Sequence, residues 1–143
     1  MKRINSRAIA IASAALFIAP LVSLGATTTP TYADAASPTR ILTCTQKLAS
    51  KPATYTLSCA DANAGWTGMT WSAWGASTAT GRGLLRQNNC SPNCVSGKFL
   101  DYRATVTLSK VITTKKYGAL FSQATFHYSV GGKSKTEVFG LAD

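Results

Sequence analysis

The stretch from Phe99 to Ser109 alternates. Leu100, Tyr102, Ala104, Val106 and Leu108 fall on one face of an extended chain, and Phe99, Asp101, Arg103, Thr105, Thr107 and Ser109 fall on the other. Successive side chains of a strand point to opposite faces, so this pattern demands a β-strand with one apolar face to bury. A second such segment runs near Leu120 to Val130, with Ala124, Phe126, Tyr128 and Val130 set against Thr125, His127 and Ser129. Gly131-Gly132-Lys133-Ser134 turns it into a last strand, Lys135 to Leu141.

Upstream, Gly68 to Trp74 and Gly81 to Gln87 flank Gly75-Ala76-Ser77-Thr78 and predict another hairpin. Ile41 to Leu48 and Ala53 to Cys59 read as strands on either side of the turn Ala49-Ser50-Lys51-Pro52. No segment after the leader carries a sustained i, i+3, i+4 apolar stripe, and there is no internal repeat. The expected fold is all-β: a small disulfide-stabilised antiparallel β-sandwich or barrel of about seven strands, preceded by a signal-peptide helix.

That leader is the second constraint. Lys2, Arg3 and Arg7 precede an uncharged apolar run from Ala8 to Leu24, and small residues follow Pro30. The layout is that of a secretory signal peptide rather than a membrane anchor, with cleavage expected after Ala35 and with Ala33 and Ala26 as the other positions. Residues 1 to 35 are then removed on export, and 36 to 143 form a single secreted domain with its ordered core at about 40 to 142. No second run approaches membrane length, so the mature form is not expected to span a bilayer.

An exported chain of this size gains from covalent staples, and four cysteines in an oxidising compartment read as two disulfides. In a hairpin centred between Lys51 and Pro52, Cys44 lies opposite Cys59, so these two are expected to be joined as cross-strand neighbours. Cys90 and Cys94 enclose Ser91-Pro92-Asn93 among turn formers and are expected to close their own loop. The spacings C-x14-C and C-x3-C are not the paired knuckles of a zinc site, and no metal or other cofactor is expected.

The whole chain carries 15 Lys+Arg against 5 Asp+Glu. Beyond residue 35 the balance is 12 to 4, a net charge of +8. Those basic residues are dispersed, so the chain has no polybasic arm and the excess predicts salt-sensitive attraction to anionic partners. Lys110, Lys115 and Lys116 flank one connection and Lys133 and Lys135 another, and the two groups are expected to converge at an edge or end of the sheet. Lysines at a sheet edge also block edge-to-edge pairing, which is the competing use. Arg82 is a further candidate contact for an anion.

Trp66, Trp71 and Trp74 form the densest aromatic cluster. In a regular strand Trp71 and Trp74 point to opposite faces, so one could stack on a sugar ring or base; alternatively both pack. Asp61-Ala62-Asn63-Ala64-Gly65 has the opening of a calcium loop without its closing Glu, and reads as an Asx turn. His127 is the one histidine, and no spacing pairs two of Asp61, Asp101, Glu137 and Asp143 for acid-base work. No catalytic residue is assigned.

Read together, Cys59-Ala60-Asp61, Trp71-Ser72-Ala73-Trp74-Gly75, Ala79-Thr80-Gly81-Arg82-Gly83 and Asn88-Asn89-Cys90-Ser91-Pro92-Asn93-Cys94-Val95-Ser96-Gly97-Lys98-Phe99 form a joint pattern over about residues 41 to 108. It resembles a family of small secreted actinobacterial proteins with a CAD, WxxWG, AxGxG and NxCxPxCxxGxF signature. This chain departs from it at Ala62, where the family has Gly. The resemblance implies export and two disulfides and adds no catalytic residue.

The expected function is that of a secreted, non-catalytic binding or structural protein. Its basic surface would contact anionic cell-envelope or extracellular polymers, without specific nucleic-acid recognition. The alternative is an inhibitor of extracellular hydrolases presenting the loop from Asn89 to Gly97. A third class, a small hydrolase, would rest on His127 and the four carboxylates.

Overall fold

The computed structural model describes residues 38–141. The expected signal peptide, its three candidate cleavage positions and Asp143 lie outside the described residues. Among the described residues the fold is all-β, with eight strands: β1 (Ile41–Leu42), β2 (Leu48–Ala49), β3 (Tyr55–Thr56), β4 (Ala64–Trp74), β5 (Ala79–Asn88), β6 (Phe99–Thr114), β7 (Gly118–Val130) and β8 (Lys133–Gly140). Strands β3 to β8 form one antiparallel six-stranded sheet in chain order, and β1 and β2 form a separate two-stranded ribbon. Among the described residues no helix is long and apolar enough to cross a membrane.

The alternation expected of β6 and β7 sets the two faces. Ala79, Leu108, Ala124 and Phe139 make one register row across β5 to β8, and Gly81, Val106 and Phe126 begin the next. These residues share the core with Trp66, Met69, Leu85 and Phe121. The sheet curls around this core: Gln87 on β5 reaches Glu137 on β8 although two strands intervene. Gly131 and Gly132, with φ of 56° and 77°, make the tight turn between β7 and β8 that only glycine adopts without strain.

Strand β4 is irregular, and the irregularity organises the aromatic core. Its register with β5 shifts between Thr67 and Thr70 and again between Trp71 and Ala73. Each bulge reverses the alternation, so Trp66, Trp71 and Trp74 all turn inward. The expectation that Trp71 and Trp74 point to opposite faces is thereby corrected. A Cβ at Gly81 would lie 2.9 Å from Trp71 Cε3, and one at Gly83 would lie 2.9 Å from Met69 Cα. The Ala79-x-Gly81-x-Gly83 pattern is thus the small-residue bed on which the bulged strand lies.

Both expected disulfides are present, Cys44–Cys59 and Cys90–Cys94. The register argued for the first is not. Ile41 pairs with Ala49 and Leu42 with Leu48, whereas Tyr55 and Thr56 pair with Trp66 and Gly65. The first hairpin turns earlier, at Thr43 to Lys47, because Thr43 Oγ1 accepts from Lys47 N–H at 3.1 Å and Thr43 N–H donates to Lys47 O at 2.9 Å. Cys44–Cys59 therefore ties that turn to the loop after β3, with Cα atoms 5.3 Å apart, instead of bridging two paired strands.

The N-terminal segment also closes an exposed edge. β8 pairs with β7 no further than Gln123, and Arg40 takes over the uncovered stretch, donating to Ala119 O at 3.1 Å and accepting from Phe121 N–H at 2.9 Å. A strand edge that would otherwise present bare N–H and C=O groups is satisfied by this bridge.

Candidate functional site

The polar face of the sheet, opposite the core, carries a concentration of unneutralised charge built on paired strands. Across β5 to β8, Arg82 opposes Thr105, Thr105 opposes His127, and His127 opposes Thr136. One step along, Leu84 opposes Arg103. Thr105 therefore has Arg82 on one flank, His127 on the other and Arg103 two residues away on its own strand. Directly opposed Cβ atoms lie about 5 Å apart and diagonal ones about 7–8 Å, so the three basic side chains surround a single hydroxyl.

The β4 bulge shapes the ground beside them. Gly68, at φ 60°, has no side chain to cover the face, and the space where one would stand is open. The result is an open cleft of about 560 Å³ lined by Gly68, Arg82, Gly83, Leu84, Arg103, Thr105 and His127. Arg82, Arg103 and His127 are all exposed.

The charges here are not compensated. Among the described residues neither Arg82 nor Arg103 has an ion pair, whereas the neighbouring Arg86 faces Asp101 directly, with Nε 4.0 Å from Oδ1. Arg86 is further held over the Phe99 ring at 4.9 Å. The same face thus balances one arginine and leaves two bare. His127 is oriented by Thr136, its Nδ1 lying 2.8 Å from Oγ1. If the hydroxyl donates to Nδ1, the Nε2–H is left to donate outward.

A second polar group sits on the core face at one mouth of the curl. Gln87 Nε2 donates to both Glu137 oxygens at 2.9 Å, and Tyr128 Oη donates to Oε2 at 2.9 Å. Burial, then the hydrogen bond and charge of Glu137, push the Tyr128 hydroxyl up to about 12. Glu137 opposes Phe126, so it lies on the other face of the sheet from His127.

The remaining candidates fall elsewhere. Trp66 is buried at 1 % exposure, stacked on Tyr55 at 4.5 Å and edge-on to Trp71 at 5.9 Å. Trp74 packs edge-on to Trp71 at 4.7 Å and to Phe121 at 5.7 Å. The indole N–H groups of Trp66 and Trp71 both donate to Pro52 O at 3.1 Å, and that of Trp74 to Thr39 O at 2.8 Å. The cluster is committed to the core. Asp61 accepts from Asn63 N–H at 3.1 Å and from its Nδ2 at 2.8 Å, forming the expected Asx turn, and these bonds hold its carboxyl below the usual range.

The lysine groups do not converge. Lys115 and Lys116 occupy the turn before β7, and Lys133 opens β8 after the turn that follows it, so the two sets lie at opposite ends of a 13-residue strand. Lys110, on β6, is five residues beyond the Thr105 row, toward the Lys115 end. Of the basic candidates only Arg82 belongs to the cleft. Arg103, Thr105 and His127 join it there, and strand alternation had already put each on a polar face. What was missing was the register that aligns those faces.

No family model, curated protein or solved structure matches the chain.

Proposed function

We propose that the protein is exported and acts as a non-catalytic binding protein whose basic sheet face contacts anionic polymers of the cell envelope or extracellular space. The observation that carries this reading is the pair Arg82 and Arg103, left without carboxylates around Thr105 beside an open cleft. Like charges on adjacent strands oppose folding, and an external anion would relieve that repulsion. Export is supported by the leader and by two disulfides, which persist in oxidising compartments. The non-catalytic reading is supported by the partner of His127 Nδ1, a threonine rather than an orienting carboxylate. Kinship with the small secreted actinobacterial proteins belongs to the same proposal. The test is retention on isolated envelope material across a salt series: release with rising salt is expected, and equal retention at low and high salt contradicts the reading.

A second reading, inhibition of an extracellular hydrolase, is favoured by one observation. The loop closed by Cys90–Cys94 presents Val95 at 98 % exposure. It is braced by Asn88, which donates to Cys94 O at 2.7 Å, and by Asn89, which accepts from Ser91 and Lys98 N–H groups. A rigid loop loses little entropy on binding. Absence of inhibition across a protease and glycosidase panel at micromolar concentration would retire it.

A further inference from the structure

We infer that the basic face reads the phosphate groups of a phosphodiester-linked polyol or sugar polymer, one phosphate sitting over Thr105 between Arg82, Arg103 and His127. This deepens the polyanion reading above and rests on it.

Three features favour phosphate over carboxylate. First, the donors come from separate directions: Arg82 from β5, Arg103 along β6, His127 from β7 and the Thr105 hydroxyl between them. A carboxylate is planar and is satisfied by one guanidinium fork, whereas the oxygens of a phosphate diverge and can engage several donors at once. Second, both planar forks are unclaimed by carboxylates among the described residues, although Asp101 shows that this face can supply one. Third, the bare backbone at Gly68, with open space where a side chain would stand, lets a chain lie close to the sheet beside the arginines.

The surroundings select a polyol or sugar backbone over a nucleic acid. The row next to Thr105 carries Thr80, Thr107 and Thr125 in register on β5, β6 and β7, and Thr70 opposes Arg82 from β4. Hydroxyls both donate to and accept from polyol hydroxyl groups. Among the described residues no aromatic ring lines the cleft: the tryptophans turn to the core, and Phe99, 44 % exposed with Arg86 over its ring, lies outside it. Binding of single-stranded nucleic acid draws on base stacking, which the cleft itself does not offer.

The experiment measures binding of the mature domain to three polymers of matched charge at physiological salt: poly(glycerol phosphate), polygalacturonate and single-stranded DNA. Poly(glycerol phosphate) should bind at least about tenfold more tightly than either of the others, as expected for loss of charge-assisted hydrogen bonds at one seat. The Arg82→Gln/Arg103→Gln variant should reduce that binding by about tenfold or more, and Thr105→Val by a smaller factor. Lys115→Gln/Lys116→Gln, which removes the same charge at the far end of β7, should change it less than about twofold. Equal binding of all three polymers, with equal loss in the two double variants, would overturn the phosphate seat while leaving general polyanion binding intact. Tighter binding of DNA would overturn it in favour of a nucleic-acid face. If none of the three binds in a salt-dependent way, the polyanion reading falls and the phosphate seat falls with it.

Discussion

Gln87 Nε2 lies 2.9 Å from both carboxylate oxygens of Glu137, although β6 and β7 separate their strands in the sheet. In a flat sheet, strands three places apart are about 14 Å from each other. The contact therefore measures how tightly the sheet curls, and it closes one mouth of the core with a charged acceptor satisfied by an amide and a phenol.

Glu137→Gln should loosen this closure and lower the titration point of Tyr128 from about 12, without restoring the ordinary phenol value, because burial is the larger cause of the shift. The sign for stability follows. A hydroxyl whose pKa rises on folding from its ordinary 10.0 to about 12 contributes stability that is complete below pH 10.0 and lost as pH climbs through about 12. Ultraviolet titration of the tyrosines should show one late phase that Tyr128→Phe abolishes and Glu137→Gln moves earlier. An unchanged profile in Tyr128→Phe would refute the assignment.

Gly83→Ala should destabilise the domain by about 1–3 kcal/mol, because the new methyl meets the Met69 and Gly68 backbone rather than a movable side chain. Gly140→Ala has nothing within 4 Å of its new methyl and serves as the control. Urea denaturation of the two variants should separate them. Equal midpoints would mean that β4 can move away from β5.

Removing Cys44–Cys59, whose ends are 15 residues apart, should cost about 3 kcal/mol in the chain-entropy account. Removing Cys90–Cys94, separated by 4, should cost about 2 kcal/mol. Paired Cys→Ala variants tested by denaturation should keep that order, and the second should also loosen the loop around Val95.

Arg82→Gln and Arg103→Gln should leave stability unchanged or raise it by a few tenths of a kcal/mol, since each removes one of two uncompensated like charges. Arg86→Gln should lower it by up to about 1 kcal/mol, through loss of the Asp101 and Phe99 contacts. Thermal melts at low salt would show the contrast most clearly. A clear loss of stability in Arg82→Gln would mean that the residue serves the fold rather than a ligand.

Period-two alternation in Phe99–Ser109 and Leu120–Val130, together with the turn residues around Gly75 and Gly131, was sufficient to establish an antiparallel all-β chain and which side chains of β6 and β7 face the core. Cysteine spacing likewise indicated the Cys90–Cys94 loop, whereas Cys44–Cys59 is the expected pair without the expected hairpin. These are local properties: a strand's two faces and a short loop's closure depend on neighbours in the chain. The β4 bulges, the early turn at Thr43 and the register that gathers Arg82, Arg103, Thr105 and His127 depend on how separate strands meet. A one-residue shift in register sends every side chain of a strand to the other face, and the choice is made by packing. In β4 the Trp71 indole packs on the bare backbone of Gly81, and the backbone of Gly68 and Met69 lies against Gly83. The sequence alone therefore determined strands, turns and staples, and the tertiary structure decided which charges became neighbours.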